Sequence, residues 1–308
     1  MNLKKIKIGV ISDVHSNYCA FKAVYEYLRS QEIKEYLLLG DYVSDTAETE
    51  KTMELLYQIM EENQVHILRG NREEYVLDQW KIQKGEKDGP LWLANSASGN
   101  LLYTYERLSQ KDFEFFDSLP ITFQLEKEGY PDITCCHGSP INTRELLEFY
   151  TVNTKEWLEK TDTDYLLCAH THFPGKLEYK GKTYINNGCA GIAIDDYGFA
   201  QCTILHGVEK EGTKKWEPEF LKIPYDTEEV IQSIFHSGLY DMAHWFMNSN
   251  IQILKTGIDN SAKLVALAGR LQADQTGKEA VWPYIEEKYF EEAAGQLGVP
   301  DYQKCAVK

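Results

Sequence analysis

A chain of 308 residues, 43% hydrophobic and 26% charged, is long enough for a large α/β unit with a smaller appendage, and too apolar for a disordered or fibrous protein. Its formal net charge of −16 repels polyanions, so neither a nucleic-acid partner nor an anionic membrane surface is expected. The seven cysteines are odd in number and form no Cys-x-x-Cys pair. Cys135, Cys136, Cys168 and Cys202 sit inside apolar runs, the pattern of small buried side chains in a reducing, cytoplasmic protein. After Lys4-Lys5 only about six apolar-leaning residues precede Asp13, too few for a signal-peptide core or a membrane span.

In chain order, Ile6–Ser12 reads as a buried strand, and residues 17–29 as a helix with Phe21, Val24, Tyr25 and Leu28 on one face. Tyr36–Leu39 is a second strand, residues 46–62 a second helix, and Val65–Leu68 a third strand. This β-α-β-α-β rhythm predicts a largely parallel sheet covered by helices. A helical insert broken at Lys84–Gly89 follows, and Ser109 with Asp112 forms a capping box for the next helix. From Ile121 strands dominate, at 121–126, 132–136, 164–169, 182–186, 199–205 and about 216–223, which predicts a second sheet packed on the first. Beyond residue 225 only helices are expected, around 227–236, 240–255, 261–273 and 284–296. The chain therefore divides into 1–225 and a helical 226–308. Trp245, Phe246, Trp282, Tyr284, Tyr289 and Phe290 in the second part could line a cap or a dimer face, but docking on the core is the favoured reading.

Five stretches each follow a strand-like run: Asp13-Val14-His15, Gly40-Asp41, Gly70-Asn71, His137-Gly138 and His170-Thr171-His172. Side chains at strand ends can converge at one sheet edge and gather oxygen and nitrogen ligands. Two divalent cations ~3.5–4 Å apart need a bridging carboxylate and neutral partners that do not over-neutralise them. Asp41 suits the bridge; Asp13 with His15, and His170 with His172, are spaced to point to one side of an extended segment. Asn71 adds an amide oxygen and His137 another imidazole. Gly40, Gly70 and Gly138 supply the turns that aim these ligands. Asn17 is a suitable helix N-cap. His66, His206, His236 and His244 lack such context and read as structural or exposed.

As a set, these residues resemble the signature of the calcineurin-like metallophosphoesterases, D-x-H, G-D, G-N-H-[DE], H and G-H-x-H, over about residues 5–205. Leu108–Pro120 and His137-Gly138-Ser139-Pro140 are similar to the bacterial branch of small phosphodiesterases and diadenosine-tetraphosphatase relatives. The resemblance implies an αββα two-sheet sandwich, here with an all-helical C-terminal extension. It also implies two divalent metals (Mn, Fe or Zn): one on Asp13, His15, Asp41 and His172, the other on Asp41, Asn71, His137 and His170.

The chain departs from this signature in three places. Arg72 replaces the usual histidine after Gly-Asn. It is always charged and so cannot act as an acid near neutrality, but it can clamp a phosphate. The alternative is a structural ion pair with a nearby carboxylate such as Glu73 or Glu74. The run Gly40-Asp41-Tyr42-Val43-Ser44-Asp45 lacks the Asp-Arg-Gly ending of protein Ser/Thr phosphatases. Ala169 stands where the last block usually begins with glycine. Arg144 is a candidate second phosphate contact. The function implied is hydrolysis of phosphate esters or anhydrides on a small phosphorylated substrate, by in-line attack of a metal-bridging hydroxide, with Asp41, Asn71, Arg72 and His137 at the reacting centre. The alternatives are a Ser/Thr protein phosphatase, a dinucleotide-polyphosphate hydrolase, or an inactive scaffold of the same fold; a homo-oligomer is possible.

Overall fold

The computed structural model describes residues 6–210 and 212–303; Lys4-Lys5 lie outside them. The first half alternates as expected: β1 (Ile6–Ile11), α1 (Tyr18–Ser30), β2 (Glu35–Leu39), α2 (Thr49–Glu62), β3 (Gln64–Leu68) and α3 (Asn71–Gln83). Next come α4 (Gly99–Tyr105), α5 (Gln110–Ser118), β4 (Thr122–Leu125), β5 (Ile133–Cys136), α6 (Val152–Lys160), β6 (Tyr165–Cys168), β7 (Gly175–Tyr179) and β8 (Lys182–Asn186). Two long strands, β9 (Phe199–Lys210) and β10 (Thr213–Pro224), close the β part. The helices α7 (Thr227–His236), α8 (Leu239–Met242), α9 (His244–Thr256), α10 (Ser261–Thr276) and α11 (Glu287–Leu297) complete the chain.

Two mixed five-stranded sheets pack face to face and carry helices outside, the αββα sandwich. Their orders are β10-β9-β1-β2-β3 and β4-β5-β6-β8-β7. Strand alternation explains the layers. Ile8, Val10, Leu37 and Leu39 face inward and meet Ile133, Cys135, Leu167 and Ile185 of the second sheet. Tyr36 and Leu38, of opposite parity, pack outward with Phe21, Val24 and Leu28 of α1. The outer face of the second sheet is covered by α6, whose Leu158 packs on Leu166 and Tyr184.

Two expectations are corrected, one strand is added and one loop is longer than expected. The last two strands do not join the second sheet. β9 runs antiparallel to β1, from Ile6↔Gly207 to Val10↔Thr203, and β10 pairs with β9 at the sheet's edge. Chain order could not reveal this, because an antiparallel strand can add to any open edge. The residue 175–179 segment forms β7, a hairpin partner of β8 turning at Lys180-Gly181, both at positive φ. The expected 240–255 helix is broken at Ala243 (φ −144°) into α8 and α9. The break expected at Lys84–Gly89 is present, and the irregular loop runs on to residue 98 before α4 begins.

Elements beyond β10 are all helical, and they share core with earlier ones. Ile231, Ile234, Met247 and Ile251 pack with Ala47 and Tyr103; Leu264, Phe290 and Ala294 pack with Ala97. Among the described residues no helix is long and apolar enough to cross a membrane.

Candidate metal centre

In both sheets the parallel strands β1, β2, β3, β5 and β6 end at one side of the sandwich, and the seven candidate ligands follow those ends. Asp13 and His15 come after β1, Asp41 after β2, Asn71 opens α3 after β3, His137 follows β5, and His170 and His172 follow β6. Five of them have left-handed backbone: Asp13 (φ 53°), His15 (53°), Asp41 (55°), His170 (67°) and His172 (62°). Each such non-glycine residue costs ~1 kcal/mol or more, so the surroundings must hold it. They do so through a backbone lattice: Asp13 N–H donates to Gly40 O (3.0 Å), His15 N–H to Asp41 O (3.0 Å), and Gly191 N–H to Asp13 O (2.8 Å). Gly40 sits at φ 89°. A Cβ on Gly70, whose φ is negative, would run into the Asp41 carboxylate, so that glycine serves close approach rather than a turn.

The donor atoms converge. His137 Nε2 lies 2.9 Å from Asn71 Oδ1 and 3.4 Å from Asp41 Oδ2. His15 Nε2 and His172 Nε2 are 3.1 Å apart. Asp13 Oδ1 is buried without a hydrogen-bond donor, while His172, His137 and His15 present Nε2 to it at 3.3, 3.9 and 4.0 Å. Ligand atoms of Asp13, His15 and Asp41 form one group within 4.8 Å, and those of Asp41, His137 and His170 another, so Asp41 belongs to both. An orphaned buried carboxylate oxygen ringed by imidazole nitrogens fits a cation better than a hydrogen-bond network.

The far side of three imidazoles is tied down, which leaves Nε2 for the centre. Nδ1–H of His137 donates to Leu39 O (2.8 Å) and that of His172 to Ile192 O (3.2 Å), while Nδ1 of His15 lies 3.1 Å from Asp45 Oδ2. Burial disfavours charge on His137, but the carboxylates of Asp41 and Asp13 outweigh it and hold its pKa at about 9. Burial also opposes the Asp41 charge, yet His137, His15 and Arg72 keep it well below the usual carboxylate range. His170 is pushed down to about 4 by burial and by His137 beside it. Carboxylates that draw protons onto neighbouring imidazoles are a set in which a divalent cation can take the protons' place.

The calcineurin-like phosphoesterase family model matches residues 6–174. The chain belongs to this family. An uncharacterized protein of Methanocaldococcus jannaschii is 24% identical over 250 residues, covering 76% of this chain and 94% of that one. Among solved structures, a hypothetical protein of Pyrococcus horikoshii OT3 has a TM-score of 0.66 at 20% identity, covering 82% of this chain and 99% of its own. A metallophosphoesterase of Sphaerobacter thermophilus has a TM-score of 0.60 at 20% identity, covering 82% and 100%. At these identities the two structures show a shared fold.

Around this family centre lie residues that the strand-end motifs do not reveal. Glu73 is fully buried and accepts from the backbone N–H groups of Asp41, Tyr42 and Gly70, each at 2.8 Å. Its carboxylate thus staples the Gly40-Asp41 turn to the start of α3. Burial and the nearby Asp41 charge raise its pKa to about 7. Asp45 contacts His15, accepts from Asn100 Nδ2 (2.7 Å) and pairs with Arg72 Nη2 (2.6 Å). Burial opposes its ionisation, but Arg72 and His15 prevail and hold it at about 2. Arg72 is therefore paired with Asp45, not with Glu73 or Glu74, because α3 turns Glu73 inward while Glu74 takes Thr143 Oγ1 (2.6 Å). Cys189 also lies outside the strand-end motifs; its sulfur sits near His15 and His172, and its thiol points at Asp13 O (3.2 Å).

Arg144 is set apart from the ligands. It is half exposed, 3.5 Å from Asp78, and lies over the Tyr75 ring at 4.4 Å. Arg72 approaches the same ring at 6.0 Å. The remaining histidines pair elsewhere: His66 with Glu35 (2.9 Å), His206 with Glu219 (2.7 Å) and His244 with Asp301 (3.6 Å), while His236 is exposed. Of the C-terminal aromatics, Tyr289 and Phe290 are buried in the α10–α11 core, whereas Trp282 and Tyr284 are exposed enough to meet a ligand.

Proposed function

We propose that this chain is a metal-dependent phosphoesterase working through two divalent cations. Asp13, His15, Asp41 and His172 would hold one, and Asp41, Asn71, His137 and His170 the other. The observation that carries the reading is that Asp41 stands in both ligand groups, as a bridging carboxylate must. When bound, such cations supply Lewis-acid polarisation of a phosphoryl oxygen and activation of water. The mixed oxygen and nitrogen donors suit Mn²⁺, Fe or Zn²⁺.

The protein's own groups divide the remaining work. Arg72, guanidinium anchored on Asp45, faces the substrate side and balances charge on the equatorial oxygens of an ester or anhydride under in-line attack. Asp45 positions Arg72 and His15 together. Glu73 fixes the turn that presents Asp41. No imidazole stands at the Arg72 position, so the leaving oxygen departs unprotonated or takes its proton from water.

The test is turnover of p-nitrophenyl phosphate by the purified protein, before and after chelation and after readdition of Mn²⁺, Fe²⁺ or Zn²⁺, beside its metal content. Metal-dependent turnover with close to two ions per chain is expected. A protein that binds two ions yet hydrolyses no phosphate ester would be a scaffold instead.

A further inference from the structure

The residues matched by the family model end at 174, yet Arg72 also opens onto a cavity built partly from beyond that limit. The cavity holds about 500 Å³, within the ~300–1,000 Å³ usual for small-molecule sites. Tyr75 and Gln79 of α3 line it, with Trp92 from the α3–α4 loop, Phe246 of α9 and Trp282 before α11. We propose that this cavity receives the base of a nucleotide-type phosphoester, with its phosphate toward Arg72 and the metal centre. The proposal rests on the phosphoesterase reading above and specifies its substrate class.

Gln79 is the decisive residue. It is 1% exposed, and neither its Oε1 nor its Nε2 has a hydrogen-bond partner. A buried amide left unpaired is costly, so its place in α3 calls for a partner. A planar donor beside a planar acceptor matches the donor–acceptor edge of a nucleobase, adenine in particular. The walls supply the rest of the recognition, because aromatic faces stack on bases. Trp92 and Trp282 meet edge to face at 6.5 Å, and Trp282 is held by its Nε1–H on Ala97 O (2.8 Å).

Side-chain contacts link the cavity to the reacting centre. Arg72 and Asn100 both line the cavity and both bind Asp45, which touches His15. On the solvent side Lys87 and Arg144 are engaged by Asp78, at 2.7 and 3.5 Å, which leaves Arg72 as the cation nearest the centre.

The metal-loaded wild-type protein and Gln79→Leu are to be compared on adenosine 5′-monophosphate and on ribose 5-phosphate, which lacks the base. Binding of adenosine and of ribose is measured by calorimetry. Wild type should favour the nucleotide in kcat/KM by ~10-fold or more, the discrimination open to a site built to hydrogen-bond its ligand. Gln79→Leu should raise KM for the nucleotide about tenfold while leaving ribose 5-phosphate kinetics unchanged. Its melting temperature should be equal or higher, which a purely structural glutamine would not give. Trp282→Ala should weaken adenosine binding in the same direction. Equal handling of the two substrates, or a Gln79→Leu protein indistinguishable from wild type, would overturn the base subsite. p-Nitrophenyl phosphate turnover would then still uphold the phosphoesterase reading, and its absence with adenosine bound would refute that reading alone.

Discussion

The candidate metal centre and the adjoining cavity are neighbours built by opposite means. Every candidate ligand of the centre lies within four residues of a parallel strand's end, and left-handed backbone aims five of the seven. The cavity takes its walls from α3, an irregular loop and helices almost 200 residues later in the chain. Groups that must hold charged atoms closely are placed on rigid sheet edges, while the cavity walls are left to connections and late helices.

Four perturbations separate the two regions. The largest effect is expected from Asp41→Asn, which removes the one carboxylate common to both ligand groups. Activity should fall by orders of magnitude and metal content should drop, with the circular dichroism spectrum unchanged; full activity at limiting metal would rule out a bridging role. Arg72 sits at the junction and comes next. Without an acid at its position, log kcat/KM should fall steeply with leaving-group pKa, favouring aryl esters and anhydrides. Arg72→His should flatten that slope, since a positioned proton donor is typically worth ~10²–10⁴-fold. Arg72→Ala should slow every substrate alike. Equal slopes in wild type and Arg72→His, with Arg72→Ala unimpaired, would remove Arg72 from the chemistry.

Glu73 probes the support beneath the centre. Glu73→Ala strands three buried backbone N–H groups, each worth ~1–3 kcal/mol. A loss of about 3 kcal/mol or more in denaturant unfolding is expected, together with weaker metal binding; a smaller loss would mean that water substitutes for the carboxylate. The smallest effect is expected from Asn17→Ala. Asn17 caps α1 through Ala20 N–H (3.1 Å) and donates to Gly191 O (2.6 Å). Its loss should cost ~1–2 kcal/mol, with cavity-dependent substrate preference untouched.

The sequence by itself determined the α/β class, the order of most elements and the ligand candidates. Strand periodicity, Gly-Asp and Gly-Asn turns and paired histidines are local signals, and a side chain fixed at a strand end needs little further information to be placed. The Asn17 cap and the Ser109–Asp112 capping box were legible for the same reason. Only the tertiary structure decided that β9 and β10 return to the first sheet, since an open edge accepts an antiparallel strand from anywhere in the chain. It alone joined Asp45 to Arg72 and turned Glu73 inward, because which side of a helix is buried depends on what the neighbouring loops place against it. It also carried Trp282 to the side of Trp92, 190 positions away in the chain. No local pattern encodes that meeting, because it depends on how α10 and α11 pack around Ala97.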